Sequence, residues 1–244
     1  MRFLVLSDIH ANWEALEAVL TQAQGSYDQI LCCGDIVGYG ADPDTVTEWV
    51  RENVRHVIRG NHDKACAGLE DLEWFNPVAR VSALWTQETT KPENITYLRD
   101  LPQGPAYIEG FQIVHGSPLD EDEYVVSESD ASQVFPYLDH TLSFFGHTHL
   151  QGGFEVHRNG VRQIRRAWWG REELELTPDG YYMINPGSVG QPRDGDARAA
   201  YAIYDPEQRL VSYHRAAYDV PGAQRKILQA GLPPVLASRL QKGE

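Results

Sequence analysis

Phe3-Leu4-Val5-Leu6-Ser7-Asp8-Ile9-His10 begins with four apolar residues and ends with a carboxylate and an imidazole two positions apart. A run of that length, stopped by polar residues, reads as a buried strand with Asp8 and His10 at its end. Ile30-Leu31-Cys32-Cys33 repeats the arrangement and finishes in Gly34-Asp35, and His56-Val57-Ile58 does so again before Gly60-Asn61-His62-Asp63. Between the first two strands, Trp13, Leu16, Val19, Leu20 and Ala23 recur at helical spacing, with Asn12 as the opening cap and Gly25 at the far end. Asp42-Pro43 opens a second helix carrying Val46, Trp49 and Val50. Strands alternating with helices in this way predict parallel strands with covering helices.

Residues 64–100 read as mostly helical, with Pro92 opening the last segment through Leu98. The texture then changes to strands: 107–108 and 111–115 flank a Glu109-Gly110 turn, 142–145 is a buried run ending at Gly146-His147, and 154–157 and 161–164 bracket Asn159-Gly160. Runs at 181–184, 200–204 and 210–214 continue the strands, and short helices are expected from Pro221 onward. With no repeat, low-complexity tract or long linker, the expectation is one domain over 1–244, a layered α/β (α+β) fold with two sheets packed face to face.

Composition narrows the function classes. The 244 residues include 42% hydrophobic side chains, ordinary for one large core. Twenty-one basic and 35 acidic side chains give a net charge of −14, which disfavours nucleic acid and anionic lipid as partners. An anionic substrate then needs local positive charge, which bound divalent cations would supply. No stretch approaches the roughly 20 apolar residues of a membrane span, so no signal peptide or anchor is expected. Cys32, Cys33 and Cys66 are too few, and odd in number, for a disulfide framework, so the cytoplasm is the expected location.

The reactive residues fall at strand ends: Asp8-Ile9-His10, Gly34-Asp35, Gly60-Asn61-His62-Asp63, His115-Gly116 and Gly146-His147-Thr148-His149. Ligands of open α/β sheets sit at the carboxyl ends of strands, so these five segments are expected in one crevice. Alternate residues on an extended segment point the same way, which would let Asp8 with His10, and His147 with His149, grip together. Carboxylates, imidazoles and one amide oxygen, without thiolate, suit Mn, Fe, Co, Ni or Zn. Each element has a plainer reading: Asp8 as a helix cap, Gly34-Asp35 as a turn, and His56, His140, His157 and His214 as ordinary strand or surface histidines. Trp74-Phe75 and Trp168-Trp169 are read as packing rather than as walls of a base pocket.

Taken in order, Asp-x-His, Gly-Asp, Gly-Asn-His-Asp, a strand-end His and Gly-His-x-His over residues 8 to 149 resemble the signature of calcineurin-like metallophosphoesterases, here of the small prokaryotic phosphodiesterase-like kind. The resemblance implies a four-layer αββα sandwich of two mixed β-sheets flanked by helices. It implies two divalent transition-metal ions, manganese being the one expected for activity. Asp8, His10 and His149 would hold the first and Asn61, His115 and His147 the second, with Asp35 bridging. Such a pair, roughly 3.5 to 4 Å apart, turns a bridging water into hydroxide that attacks phosphorus. His62 would protonate or stabilise the leaving oxygen, with Asp63 fixing its tautomer. Asn185-Pro186-Gly187-Ser188-Val189-Gly190 resembles the loop beside the site in small members, after which Arg193 is a candidate phosphate contact, as is Tyr39.

The Asp-Arg pair that follows the metal-binding Gly-Asp of serine/threonine phosphatases is missing, the text being Gly34-Asp35-Ile36-Val37-Gly38-Tyr39-Gly40. A small phosphodiester, phosphomonoester or nucleotide substrate is therefore expected rather than a phosphoprotein. The competing class is a non-catalytic scaffold, which erosion of the ligands would announce, and all seven ligand positions are present.

Overall fold

Alternation along the first strand sets the layering. In the computed structural model, which describes residues 1–157, 160–165 and 173–244, Phe3 and Val5 face one buried cluster while Leu4 and Leu6 face another. A strand buried on both faces lies at the centre of a layered structure, as its unbroken apolar run predicts. The elements run β1 (Phe3–Leu6), α1 (Trp13–Ala23), β2 (Gln29–Cys32), α2 (Pro43–Asn53), β3 (His56–Val57), α3 (Asn61–Cys66), α4 (Pro77–Thr89), α5 (Pro92–Asp100), β4 (Ala106–Ile108) and β5 (Phe111–Ile113). They continue with α6 (Glu128–Val134), β6 (Leu142–Phe144), β7 (Gly152–His157), β8 (Gly160–Arg165), β9 (Glu173–Glu175), β10 (Tyr182–Asn185), β11 (Ala199–Asp205), β12 (Leu210–Ala216), α7 (Val220–Gln229) and α8 (Pro234–Lys242).

Two mixed sheets of six strands result, ordered β3-β2-β1-β11-β12-β9 and β4-β5-β6-β10-β7-β8. Between them lie Phe3, Val5, Leu31, Cys33 and Ile58 from the first and Phe111, Ile113, Phe144 and Ile184 from the second. The outer face of the first sheet packs on α1 and α2 through Leu16, Val19, Val46 and Val50, while Ala131 and Val134 of α6 cover the second beside Phe145 and Phe154. This is the four-layer αββα order. Truncating an interior residue such as Leu4 to alanine would cost about 2–5 kcal/mol, because neighbours on both faces cannot collapse into the space.

Asn12 caps α1 by accepting from the Ala15 amide, and Pro43 occupies the first turn of α2, as their spacing predicts. The Gly60-Asn61-His62-Asp63 segment is the first turn of a helix rather than a free loop, because Asp63 accepts from the Gly60 amide at the N-cap. Two elements escape the sequence pattern, α6 and the short edge strand β9. β7 and β8 pair with His157 opposite Gly160, while Asn159 and Trp168-Trp169 lie outside the described residues.

Candidate metal centre

β1 runs parallel to β2, and β5 parallel to β6, so four strand ends emerge on one edge. The segments leaving that edge bring Asp8, His10, Asp35 and His149 together, and beside them Asp35, His115 and His147, with the ligand atoms of each group within 4.8 Å of one another. All six side chains are buried. Asn61, at the start of α3, places its Oδ1 3.2 Å from His115 Nε2. Every residue that the sequence reading assigned to metal therefore lies in this one cleft.

The backbone takes an unusual path to achieve this. Asp8 (φ 53°), His10 (φ 49°), Ala11 (φ 49°), Asp35 (φ 54°), Tyr39 (φ 62°), His147 (φ 65°) and His149 (φ 60°) are left-handed, and Arg209 is the one other described non-glycine residue with positive φ. Each such residue costs about 1–2 kcal/mol relative to ordinary backbone. Strain gathered at seven such positions in one cleft points to a functional demand there. It also corrects the expectation that Asp8 with His10, and His147 with His149, reach together from extended chain. They turn through left-handed conformations, and the second pair is divided, His149 joining the Asp8 group and His147 the other.

Around the cleft, backbone carbonyls fix the imidazoles. His10 Nδ1 donates to Val37 O (3.0 Å), His115 Nδ1 to Cys33 O (2.8 Å) and His149 Nδ1 to Gln191 O (2.6 Å). With Nδ1 committed to a carbonyl, each ring turns Nε2 inward, where in the neutral form its lone pair is free. His147 is reversed: its Nε2 donates to Asp122 O at 3.1 Å, leaving Nδ1 for the interior. The loop after β10 acts as a strut. Ser188 Oγ donates to Asp8 O (2.8 Å), the Gly190 amide to the same carbonyl (2.9 Å), and Asn185 Nδ2 to Gly146 O (2.9 Å) and Thr148 Oγ1 (3.0 Å). Gly34 (φ +98°) permits a close crossing, since a Cβ there would lie 2.7 Å from Gly60 N and 2.8 Å from His115 Nδ1.

These constraints gather acceptor atoms closely. His10 Nε2 lies 3.0 Å from His149 Nε2, His149 Nε2 3.4 Å from Asp8 Oδ1, and His10 Nε2 3.6 Å from Asp35 Oδ2. Asp8 Oδ2 is buried with no hydrogen-bond partner. On the other side, His115 Nε2 is 3.4 Å from the same Asp35 Oδ2. Acceptors gathered in a buried space are stabilised by a cation placed among them, so the group could hold a metal ion. The donor set therefore fits hard or borderline divalent ions. Cys32, Cys33 and Cys66 stay outside it, as burial pushes all three thiols up and keeps them protonated. Asp35 faces both groups with one oxygen, because the His62 amide takes the other at 2.8 Å.

The titration of these groups registers the same demand. Burial would raise Asp35, yet the imidazoles of His115, His62 and His10 together hold its carboxyl well below the usual range. Burial would lower His115, but the Asp35 charge and hydrogen bond lift it to about 10. Burial and the nearby Asp35 charge push Asp8 to about 7. His10 and His149 are held neutral, chiefly by burial.

His62 stands at the rim, its ring 4.3 Å from Tyr39, 5.0 Å from His10 and 5.5 Å from Phe75. Burial lowers it to about 4, so the imidazole is neutral at pH 7. Its Nδ1 is buried without a partner, walled by Gly38. The expected partnership with Asp63 is absent. Asp63 accepts from the amides of Ile36 (2.8 Å) and Val37 (3.1 Å) through Oδ1 and of Gly60 (2.9 Å) through Oδ2, so both oxygens are spent on backbone. Asp63 braces the turn after Asp35, and ring packing orients His62.

Arg193 follows the strut, its amide donating to His149 O at 3.3 Å, and its charge acts on Asp8, His10, His62 and His149. The guanidinium donates to Gln191 Oε1 (3.2 Å) and reaches the Tyr39 hydroxyl at 3.5 Å, and no described ion pair joins it to a carboxylate. Sequence reasoning did not single out Tyr124, whose ring lies 3.8 Å from that of His147. In the acidic run Asp120-Glu121-Asp122-Glu123 nothing marks it as other than solvated. Of the histidines read as bystanders, His56, His140 and His214 lie outside the cluster.

The chain is 41% identical to a metallophosphoesterase from Sphaerobacter thermophilus whose crystal structure superposes with a TM-score of 0.87, covering 100% of this chain and 99% of that one. An uncharacterized protein of Methanocaldococcus jannaschii is 37% identical, over 98% of this chain and 97% of its own. A hypothetical protein from Pyrococcus horikoshii OT3 shares the fold at 21% identity, with a TM-score of 0.78 over 100% of this chain and 98% of that one. A family model for the calcineurin-like phosphoesterase superfamily domain matches residues 1–209, and with that match the left-handed cleft finds its relatives: this chain belongs to the calcineurin-like phosphoesterase superfamily.

Proposed function

We propose that the chain hydrolyses small phosphoesters with two divalent transition-metal ions, Asp8, His10 and His149 holding one, Asn61, His115 and His147 the other, and Asp35 both. The observation that carries this reading is the close gathering of His10 Nε2, His149 Nε2, Asp8 Oδ1 and Asp35 Oδ2 in a buried space, supported by the matching group around His115. Bound there, the ions supply Lewis acidity, polarising phosphoryl oxygens and acidifying water near neutral pH. Manganese is the ion proposed for activity, and Fe, Co, Ni and Zn suit the same donors.

The protein's own groups do the rest. The carbonyls of Val37, Cys33 and Gln191 keep three Nε2 atoms aimed inward before substrate arrives, so little reorganisation accompanies reaction. His62, neutral and with Nδ1 blocked, carries its proton on Nε2 and donates it as a hydrogen bond to the departing oxygen. Arg193, with no carboxylate partner among the described residues, offers its charge to the phosphoryl oxygens, and Tyr39 lies beside it. The substrate proposed is a small phosphorylated or nucleotide-type molecule. Three buried, unbridged thiols suit a reducing compartment, in keeping with a cytoplasmic location. No helix among the described residues is long and apolar enough to cross a membrane.

The test is hydrolysis of p-nitrophenyl phosphate and bis(p-nitrophenyl) phosphate with added Mn²⁺, Ni²⁺, Co²⁺ or Zn²⁺. Activity should appear with Mn²⁺ and vanish with chelator. His62→Ala should keep two metals by elemental analysis and lose about 10²–10³-fold in turnover. Inactivity with all four ions would leave the fold as a scaffold, and metal loss in His62→Ala would remove its role at the leaving group.

A further inference from the structure

Tyr124 is 51% exposed, yet it is held. Its ring lies at 34° over the His147 imidazole, and the loop carrying it is tied down from two sides. Arg59 grips the Glu121 carboxylate with two nitrogens at 2.9 and 3.0 Å, and Lys64 Nζ reaches Asp122 at 2.6 Å and Glu121 at 3.2 Å. The next carbonyl inward, that of Asp122, accepts from His147 Nε2. The ion pairs thus fix the register of the loop, and Tyr124 projects from a braced turn rather than a loose one. The Arg193 guanidinium acts on the Tyr124 hydroxyl and reaches the Tyr39 hydroxyl at 3.5 Å. One guanidinium thus neighbours two phenols beside the cleft, and no described ion pair joins it to a carboxylate.

We propose that Tyr124, Arg193 and Tyr39 form a belt of donors that grips the non-bridging oxygens of a terminal phosphoryl group, so that the chain prefers phosphomonoesters to phosphodiesters. This rests on the phosphoesterase reading above. A monoester at neutral pH brings two negative charges and three non-bridging oxygens, whereas a diester brings one charge and two oxygens, with a carbon substituent where the third would be. Against a diester part of the belt faces carbon, and partly buried donors left unpaired discriminate strongly. The Gly34–Gly40 segment carries no arginine, and Arg193 delivers the guanidinium from another part of the chain. In the reaction the oxygen of water forms the new P–O bond, the ester P–O bond breaks, the alcohol leaves with one proton of that water, and inorganic phosphate is released.

The experiment uses the full chain with Mn²⁺ and compares kcat/KM for p-nitrophenyl phosphate and bis(p-nitrophenyl) phosphate in wild type, Tyr124→Phe and Arg193→Gln, alongside calorimetric binding of inorganic phosphate and of dimethyl phosphate. Wild type should prefer the monoester and bind inorganic phosphate at least about tenfold more tightly than dimethyl phosphate. Tyr124→Phe keeps the ring over His147 and should raise KM for the monoester and Kd for phosphate about tenfold, the worth of one hydrogen bond to a charged group. Arg193→Gln should lower monoester kcat/KM about 100-fold and diester kcat/KM about tenfold or less, so that in both variants the ratio of monoester to diester kcat/KM falls. A wild type that prefers the diester, or variants that impair both substrates equally, would overturn the belt while leaving the phosphoesterase reading intact. No hydrolysis of either substrate with any metal would strike the underlying reading instead.

Discussion

Gly38→Ala tests the site through geometry, without touching a single candidate ligand. Gly38 has φ +87°, and a Cβ there would lie 2.5 Å from His62 Nδ1 and 3.1 Å from its Cγ. Carbon needs about 3.5–4.0 Å from such neighbours, so the imidazole must retreat by about 1 Å. Tyr39, His10 and Phe75 surround the ring, leaving it no easy path. A side chain in left-handed backbone costs about 1–2 kcal/mol and the overpacking about 1–3 kcal/mol. The sum, about 2–5 kcal/mol, corresponds to a Tm lower by roughly 4–20 °C in a chain of this size. A catalytic group misplaced by about 1 Å costs on the order of 10²-fold in rate. Calorimetric Tm, metal content and kcat with Mn²⁺ should therefore show a weakened protein, two ions retained and turnover down about 100-fold. Gly25→Ala is the control, since Gly25 is also left-handed (φ +79°) but has nothing within 4 Å of the added Cβ. It should lose stability and keep its turnover. If Gly38→Ala turned over at the wild-type rate, His62 could not be acting where we put it.

Two other outcomes follow from the same geometry. Asp63→Asn should destabilise the fold by about 2–5 kcal/mol, because an amide cannot accept from Gly60, Ile36 and Val37 together and turns its own N–H groups toward other donors; denaturant unfolding measures this, and a neutral result would restore Asp63 to a purely chemical role. Removing divalent ions with chelator and restoring Mn²⁺ at about 1,000 times its Kd should raise Tm by about 8–16 °C, the effect of roughly 4 kcal/mol of linked binding; no shift with Mn²⁺, Ni²⁺, Co²⁺ or Zn²⁺ would mean that the acceptor cluster is not a metal site.

Much of this was legible in the sequence because burial and reactivity alternate along it. β1 and β2 announce themselves as apolar runs that stop at Asp8 and at Gly34-Asp35, and each expected ligand lies in the cleft. Local conformation was harder. Asp8 and His10 read as extended neighbours, but the turn after β1 is held left-handed by amide contacts to Gly34 and Asp35, partners 26 and 25 residues away in sequence that no local pattern reveals. Asp63 looked like the natural orienter of His62 because it is adjacent, yet in the first turn of α3 its carboxylate meets free amides instead. The amphipathic stripe of α6 is too short to stand out, and β9 is a three-residue edge recruited by β12. Tyr124 gains its meaning from tertiary contact with His147 and Arg193 alone.

The left-handed residues carry one more consequence. Glycine would occupy each of those seven positions more comfortably, and a lineage selected for folding alone would drift toward it. Aspartate, histidine and tyrosine instead fill six of the seven and alanine the other, so the chain carries side chains there at the cost of a relaxed backbone. Were the chemistry ever abandoned, the first scars would be glycines at Asp8, Asp35 or His147, in a descendant sturdier than its ancestor.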